Sequence, residues 1–252
     1  MLKNQKSPQG ALARTFDIFE SFGAARKPLS LSEIARTIGA PVSSCHLLLR
    51  TLLDCGYLYS SGRRKLYYPT RRIYDVACSI AVHDALVEEL RPMLASLRDR
   101  SGETVILGKR QGDAVLYLEV LDSANIVRYT ARAGEYKPLH SSAIGKALLG
   151  ALPPADLDAW LGSHTLPRVT PHTLTGAAQL KSNLQQGRKR GYFVTRGENV
   201  ADVMAVAGSF SLAGEVFGIA IAGPLQRMEP MLARHAEQLR AAIQRRTRGR
   251  AS

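Results

Sequence analysis

With 252 residues, 45% of them apolar, the chain has ample material for a packed core and for one large or two ordinary domains. A formal charge of +13 favours a polyanionic partner, nucleic acid first, without by itself showing binding. No run approaches the ~18 apolar residues of a transmembrane helix and the first residues lack the apolar core of a secretion signal, so a cytoplasmic protein is expected.

The basic excess is uneven. Residues 1–75 hold 12 Lys/Arg against 5 Asp/Glu, whereas residues 76–252 hold 22 against 16. A further basic cluster, Arg245, Arg246, Arg248 and Arg250, closes the chain. The three cysteines, Cys45, Cys55 and Cys78, lack C-x-x-C spacing and read as small buried hydrophobes in a reducing compartment.

After eight polar residues, the pattern predicts a helix over 11–22 with Leu12, Phe16, Phe19 and Gly23 on one face. Ser30 and Glu33 form a capping box that opens a second helix through Leu31, Ile34, Ala35 and Ile38. Gly39 stops it and Pro41 marks a third helix, whose apolar stripe is Val42, Cys45, Leu48, Leu49, Leu52 and Leu53. The opposite face carries Ser43, Ser44, His46, Leu47, Arg50 and Thr51. Two helices joined by a tight turn, the second presenting small polar and basic residues, describe a helix-turn-helix. An ordinary helical hairpin with a solvated face fits residues 30–56 equally well taken alone.

The next stretch favours the first reading. Strand-like runs at 57–59 and 66–68 flank Arg63, Arg64 and Lys65, giving a β-hairpin with a basic tip, the wing of a winged helix. Such a tip neutralises phosphates and releases counterions.

Residues 70–83 predict a linker helix with Ile73, Val76, Ala77 and Ile80 as its stripe. Helical spacing resumes over 85–100, where Pro92 predicts a kink or a restart. The period then changes to strands at 104–108, 115–120 and 126–132, with a loop over 134–139. Helices follow at 141–149, 156–161 and, capped by Thr175, at 177–190. Strands at 192–196, 203–210 and 216–222 precede an amphipathic helix over 229–246. The chain therefore divides into a DNA-binding domain over 1–69, a linker helix over 70–84 and an α+β domain with an antiparallel sheet over 85–252.

Taken together, these blocks resemble the IclR family of transcriptional regulators over nearly the whole chain. The resemblance rests on Leu31-Ser-Glu-Ile-Ala with Ser43-Ser-Cys-His and Gly56-Tyr-Leu, on Pro138-Leu-His-Ser-Ser-Ala-Ile-Gly-Lys-Ala-Leu-Leu149, on Arg190-Gly-Tyr with Glu198-Asn199, and on Ile219-Ala-Ile-Ala-Gly-Pro224. It implies a GAF-like effector-binding domain whose pocket is lined by Ile126, Tyr129, Lys137, Ala143, Ile144, Thr195, Val203, Ala205, Ala220 and Ala222. The chain departs from the family pattern at Leu47, where many members carry Arg, and at Asp202, Ala205, Ala220 and Ala222, where the family often has Gly, Cys, Ser and Ser. The alanines predict a roomier, less polar pocket, and Lys137 predicts a charge-assisted bond to a ligand carboxylate.

The expected function is that of a ligand-responsive DNA-binding regulator, a homodimer or dimer of dimers on a pseudo-palindromic operator. Ser43, Ser44, His46 and Arg50 would face the major groove, and Arg63, Arg64 and Lys65 the backbone or minor groove. The effector would be a small organic acid with an apolar body. A DNA-binding protein without an effector is the alternative, but 150-odd further residues exceed what compaction requires. An enzyme is the other. Ser142, Lys146 and His140 lie close in sequence, yet Ser142-x-x-x-Lys146 is not S-x-x-K and no G-x-S-x-G occurs. Gly145-Lys146 lacks the upstream Gly and following Ser/Thr of a P-loop. No cofactor or metal is expected, since no two histidines stand at i, i+4 and no cysteine pattern of a zinc site occurs.

Overall fold

A computed structural model describes residues 10–62, 65–81 and 83–248. The chain divides after Asp84 into two compact units.

The N-terminal unit contains α1 (Ala11–Ala25), α2 (Leu31–Thr37), α3 (Val42–Asp54), strands β1 (Leu58–Ser61) and β2 (Leu66–Pro69), and α4 (Arg72–Ala81). The capping box forms: Ser30 N–H donates to Glu33 Oε2 at 2.8 Å while Ser30 Oγ accepts from Glu33 N–H at 3.3 Å. Those bonds hold the Glu33 carboxyl below its ordinary range. Strands β1 and β2 pair antiparallel, and a bridge from Leu29 to Tyr67 ties the start of α2 to the hairpin. The core is built from Ile18, Phe22, Leu29, Ile34, Cys45, Leu49, Leu52, Leu58 and Tyr67.

Three expectations are corrected here. The inner face of α1 is Ile18, Ser21 and Phe22, while Leu12 and Phe16 are exposed, because the first half of α1 runs past this core. Val42, the first residue of α3, leaves the buried stripe and is 52% exposed. Of the cysteines only Cys45 is buried; Cys55 is exposed after α3 and Cys78 is half-buried.

The C-terminal unit contains α5 (Ala85–Ser101), β3 (Thr104–Gln111), β4 (Ala114–Leu121), β5 (Tyr136–Pro138), α6 (Ala143–Ala151), α7 (Pro154–Ser163), α8 (Ala177–Arg190), β6 (Phe193–Arg196), β7 (Val203–Leu212), β8 (Glu215–Pro224), α9 (Leu225–Met228) and α10 (Leu232–Arg248). The strands form one antiparallel sheet in the order β5-β4-β3-β8-β7-β6. Alternation with period two sends Val105, Leu107, Met204, Val206, Ile219 and Ile221 to one face, where α5 and α10 cover them. Ile106, Ala205, Ala207, Ala220 and Ala222 point to the other face, beneath α6. Sheet and helices thus make a three-layer α+β unit.

Helix α5 continues through Pro92 without a restart. Three local expectations are corrected here too. The predicted strand over 126–132 does not form; residues 122–135 are an irregular strap, and the partner of β4 is the short β5 inside the predicted loop. The strap lacks a ladder because its backbone is bonded elsewhere: the Tyr129 carbonyl accepts from Thr104 Oγ1 at 2.6 Å, and the Val127 carbonyl from Arg227 Nη2 at 3.0 Å. Gly176, not Thr175, is the N-cap of α8, with no side-chain bond. The closing helix begins at Leu232 rather than at 229, after the short α9, with Pro230, which has no N–H for a helical ladder, in the gap between them.

Candidate functional site

A cleft lies between the α6 face of the sheet, the start of α6 and the strap. Its empty space is about 400 Å³, with open solvent at the mouth included. The floor is Ile106, Ala205, Ala220 and Ala222, brought side by side by the register Ile106↔Ala220 and Ala205↔Ala222. Thr195 extends the row, since it pairs with Ala205. Ser142, Ala143 and Ile144 at the start of α6 form one wall, and Asn199, Val200 and Val203 form another. Tyr117 and Tyr129 complete the cleft.

Glycines allow α6 to sit this close to the sheet. A Cβ on Gly218 would stand 2.6 Å from Ile144 Cγ2, and one on Gly145 only 2.2 Å from the Leu139 carbonyl oxygen. Ser142 caps the helix: its Oγ accepts from Gly145 N–H at 3.2 Å and donates to the Pro138 carbonyl at 2.7 Å. The N-terminal end of the α6 dipole therefore faces the cleft, an arrangement that favours a negative group. Burial pushes the Tyr117 phenol well above its ordinary pKa, helped by the neighbouring, hydrogen-bonded Tyr129 and by Glu135, so it stays neutral.

Behind these walls lies a buried polar cluster. Lys146 Nζ donates to Glu198 Oε1 at 2.7 Å and lies 2.6 Å from Oε2. The Glu198 carbonyl accepts from Thr173 Oγ1 at 2.7 Å, and Asn199 Nδ2 donates to Ser141 Oγ at 3.2 Å. His140 Nε2 donates to the Pro167 carbonyl at 2.9 Å, and burial holds its pKa below the ordinary value. His140, Ser142 and Lys146, the three residues that raised the enzyme alternative, are thus each engaged in internal bonds.

Of the residues expected in the pocket, the structure places Tyr129, Ala143, Ile144, Thr195, Val203, Ala205, Ala220 and Ala222 on the cleft. Two are not there. Ile126 is 95% exposed on the strap, a consequence of the missing strand. Lys137 has its own counter-ion: Nζ lies 2.7 Å from Glu135 Oε2 and 5.8 Å from the centre of the Tyr117 ring. Asp202 stands at the far end of the sheet from Lys137, where its carbonyl accepts from Leu225 N–H. The sequence reading missed Ile106, Tyr117, Ser142, Asn199 and Val200. Strand alternation from Thr104 and Val115 would have turned Ile106 and Tyr117 to a common face.

In the N-terminal unit, Ser43, His46, Leu47 and Arg50 are exposed on α3 and Ser44 is half-exposed. Lys65 is exposed in the turn after β1, with a positive φ of 45°. Arg63 and Arg64 lie outside the described residues. No described helix is long and apolar enough to cross a membrane, and no described cluster of His, Cys, Asp or Glu could hold a metal ion.

Comparison with known proteins follows the same division. Residues 11–62 match the IclR helix-turn-helix domain, and residues 78–246 match the bacterial transcriptional regulator IclR C-terminal domain. The chain is 36% identical over 86% of its length to the HTH-type transcriptional regulator BhcR of Paracoccus denitrificans, covering 78% of that protein. It superposes on the Thermotoga maritima IclR structure with a TM-score of 0.78 at 25% identity, covering 92% of this chain and 95% of that one. It also superposes on an IclR homologue of Microbacterium hydrocarbonoxydans complexed with 4-hydroxybenzoate, with a TM-score of 0.69 at 26% identity and coverages of 93% and 96%.

Proposed function

Because the chain belongs to the IclR family of bacterial transcriptional regulators, we propose that a small organic acid seated in the C-terminal cleft governs how a symmetric dimer engages a pseudo-palindromic operator. The chain is a ligand-responsive DNA-binding regulator of two domains. The cleft is the observation that carries the finer reading. Its floor is apolar, and the start of α6 offers the positive end of a helix dipole to a carboxylate. The 4-hydroxybenzoate found in the Microbacterium homologue is a ligand of this chemistry. Genes for breaking down such acids are the natural targets of a regulator that senses them.

The residues assigned to the effector are Tyr129, Ala143, Ile144, Thr195, Val203, Ala205, Ala220 and Ala222, together with Tyr117, Ser142 and Asn199. Those assigned to DNA are Ser43, Ser44, His46 and Arg50 on α3, and Arg63, Arg64 and Lys65 on the wing. Residues 1–69 serve as the DNA-binding domain, 70–84 as the linker and 85–252 as the effector domain. Dimerisation is supported by the apolar side chains that the N-terminal unit leaves in solvent: Leu12 and Phe16 on α1, Tyr74, Val76 and Ile80 on α4. No catalytic step is assigned to the cleft, whose serine hydroxyl is spent on capping α6.

A thermal-shift panel of aromatic and aliphatic acids tests the reading. An acid present at 100 times its Kd should stabilise the wild type by about 2.7 kcal/mol. Ala220→Trp, which fills the cleft floor, should abolish the shift, and the methyl esters should give less than the acids. Equal shifts from acids and esters would contradict an organic-acid effector.

A further inference from the structure

Helix α3 buries Cys45, Leu49 and Leu52 and turns Ser43, Leu47 and Arg50 outward at i, i+4 and i+7, one stripe along the helix. In the middle of that stripe Leu47 is 66% exposed. The core of the N-terminal unit closes without it. One polar neighbour is turned away: Thr51 Oγ1 donates to the Leu47 carbonyl at 3.1 Å, back onto the helix. Leu47 is therefore an apolar spot on the outward surface, bordered by the hydroxyl of Ser43, the imidazole of His46 and the guanidinium of Arg50.

In the major groove, hydrogen-bonding groups mark every base pair, but only thymine presents an apolar feature, its C5 methyl group. A leucine cannot donate to guanine N7 or O6, and against any edge but thymine it strips water from polar atoms and gives no bond in return. We propose that Leu47 is a specificity-determining residue that requires a thymine methyl in each operator half-site. The proposal rests on α3 as the DNA-reading helix. It assigns to Leu47 recognition by contact and shape, where Arg50 and the wing supply charge.

The test uses the full chain and an operator selected from random duplex DNA. Each thymine of the selected half-site is replaced in turn by deoxyuridine, which removes one methyl group and leaves all hydrogen-bonding edges unchanged. One position should lose affinity about fourfold per half-site, the value of one buried carbon at about 0.8 kcal/mol. In Leu47→Ala, an exposed substitution whose folding is checked by its melting curve, the loss at that position should vanish while other positions keep theirs. Leu47→Arg should shift the selected base there toward guanine. A selected operator with no methyl-sensitive thymine, or a uracil penalty equal in wild type and Leu47→Ala, overturns the proposal alone. A wild type that enriches no sequence at all overturns α3 as the reading helix, and the proposal with it.

Discussion

Replacing Lys146 with Met should destabilise the C-terminal unit by about 3–5 kcal/mol, because it leaves the Glu198 carboxylate buried without a cation. The Lys146 side chain is 0% exposed and that of Glu198 10%, so solvent screens the pair little. Glu198→Met should cost a similar amount by stranding the ammonium. For a unit of this size the loss corresponds to roughly 6–20 °C in melting temperature. Replacing both with Met removes two charges and leaves similar volumes, so the double variant should recover most of either loss, ending within about 2 kcal/mol of wild type.

The sign of the pH dependence separates the two single variants. Burial pushes Lys146 down and Glu198 up from their ordinary values; their mutual attraction is the largest effect opposing this, with Arg196 adding a smaller one at Glu198. Without Lys146, the pKa of Glu198 rises further in the folded state, so the folded chain binds the extra proton and stability increases as pH falls toward the unfolded carboxylate range. Without Glu198, the pKa of Lys146 drops further, so the unfolded chain binds the extra proton and stability increases as pH rises toward the unfolded lysine range. Urea denaturation between pH 5 and 9, analysed as a double-mutant cycle, reads both effects. Additive losses, or a pH slope of the same sign in both single variants, would refute the reasoning.

Replacing Arg63, Arg64 and Lys65 with Ala should weaken binding to all DNA sequences and flatten the salt slope by up to about 0.9 per lost phosphate contact; an unchanged slope removes the wing from the interface. Gly145→Ala should cost the C-terminal unit about 3 kcal/mol or more, since the new Cβ meets backbone atoms of Leu139 that cannot step aside; a melting temperature equal to wild type would contradict the close approach of α6. Burial holds His140 and His235 below the ordinary histidine value of 6.5, so their stability contribution is complete above that pH and is lost as pH falls through the folded values. His235→Gln should therefore shallow the acid-side stability curve, and an unaltered curve would exclude His235 from it. Lys137→Ala should leave the acid-induced thermal shift unchanged, because Glu135 already neutralises that ammonium; a lost shift would restore Lys137 to the cleft.

Local signals made the N-terminal unit legible. The Ser30–Glu33 capping box, the Gly39–Pro41 break and the period of α3 each act within a few residues, and each formed where the pattern put it. What the pattern could not show was which apolar positions the small core reaches. Leu12 and Phe16 have the right spacing for a buried face but sit on the half of α1 that passes the core. Periodicity records that residues share a side of a helix. It does not record whether anything lies against that side.

The cleft was legible to the extent that its residues belong to regular elements. The resemblance to the family named Ala143, Ile144, Thr195, Val203, Ala205, Ala220 and Ala222, and each sits in a regular element, the start of α6 or strands β6, β7 and β8. The errors fall on the strap between β4 and β5. Ile126, Val127 and Tyr129 look like a strand because they are β-formers, yet a strand needs a free sheet edge, and the edge of β4 is filled by Tyr136–Pro138. The strap instead takes its hydrogen bonds from Thr104 and Arg227, residues remote in sequence, whose side-chain donors no local pattern announces. Lys137 failed for the same reason from the other direction. Its position two residues after Glu135 in an irregular loop says nothing about pairing, but with Glu135 at the end of the strap and Lys137 held in β5 the carboxylate and ammonium meet at 2.7 Å. A cleft bounded by such a strap has one rigid side, set by strand register, and one side held by a few long-range side-chain bonds. Variation in ligand preference among chains of this fold is therefore expected to concentrate on the strap side, at Tyr129 and the bonds that pin it.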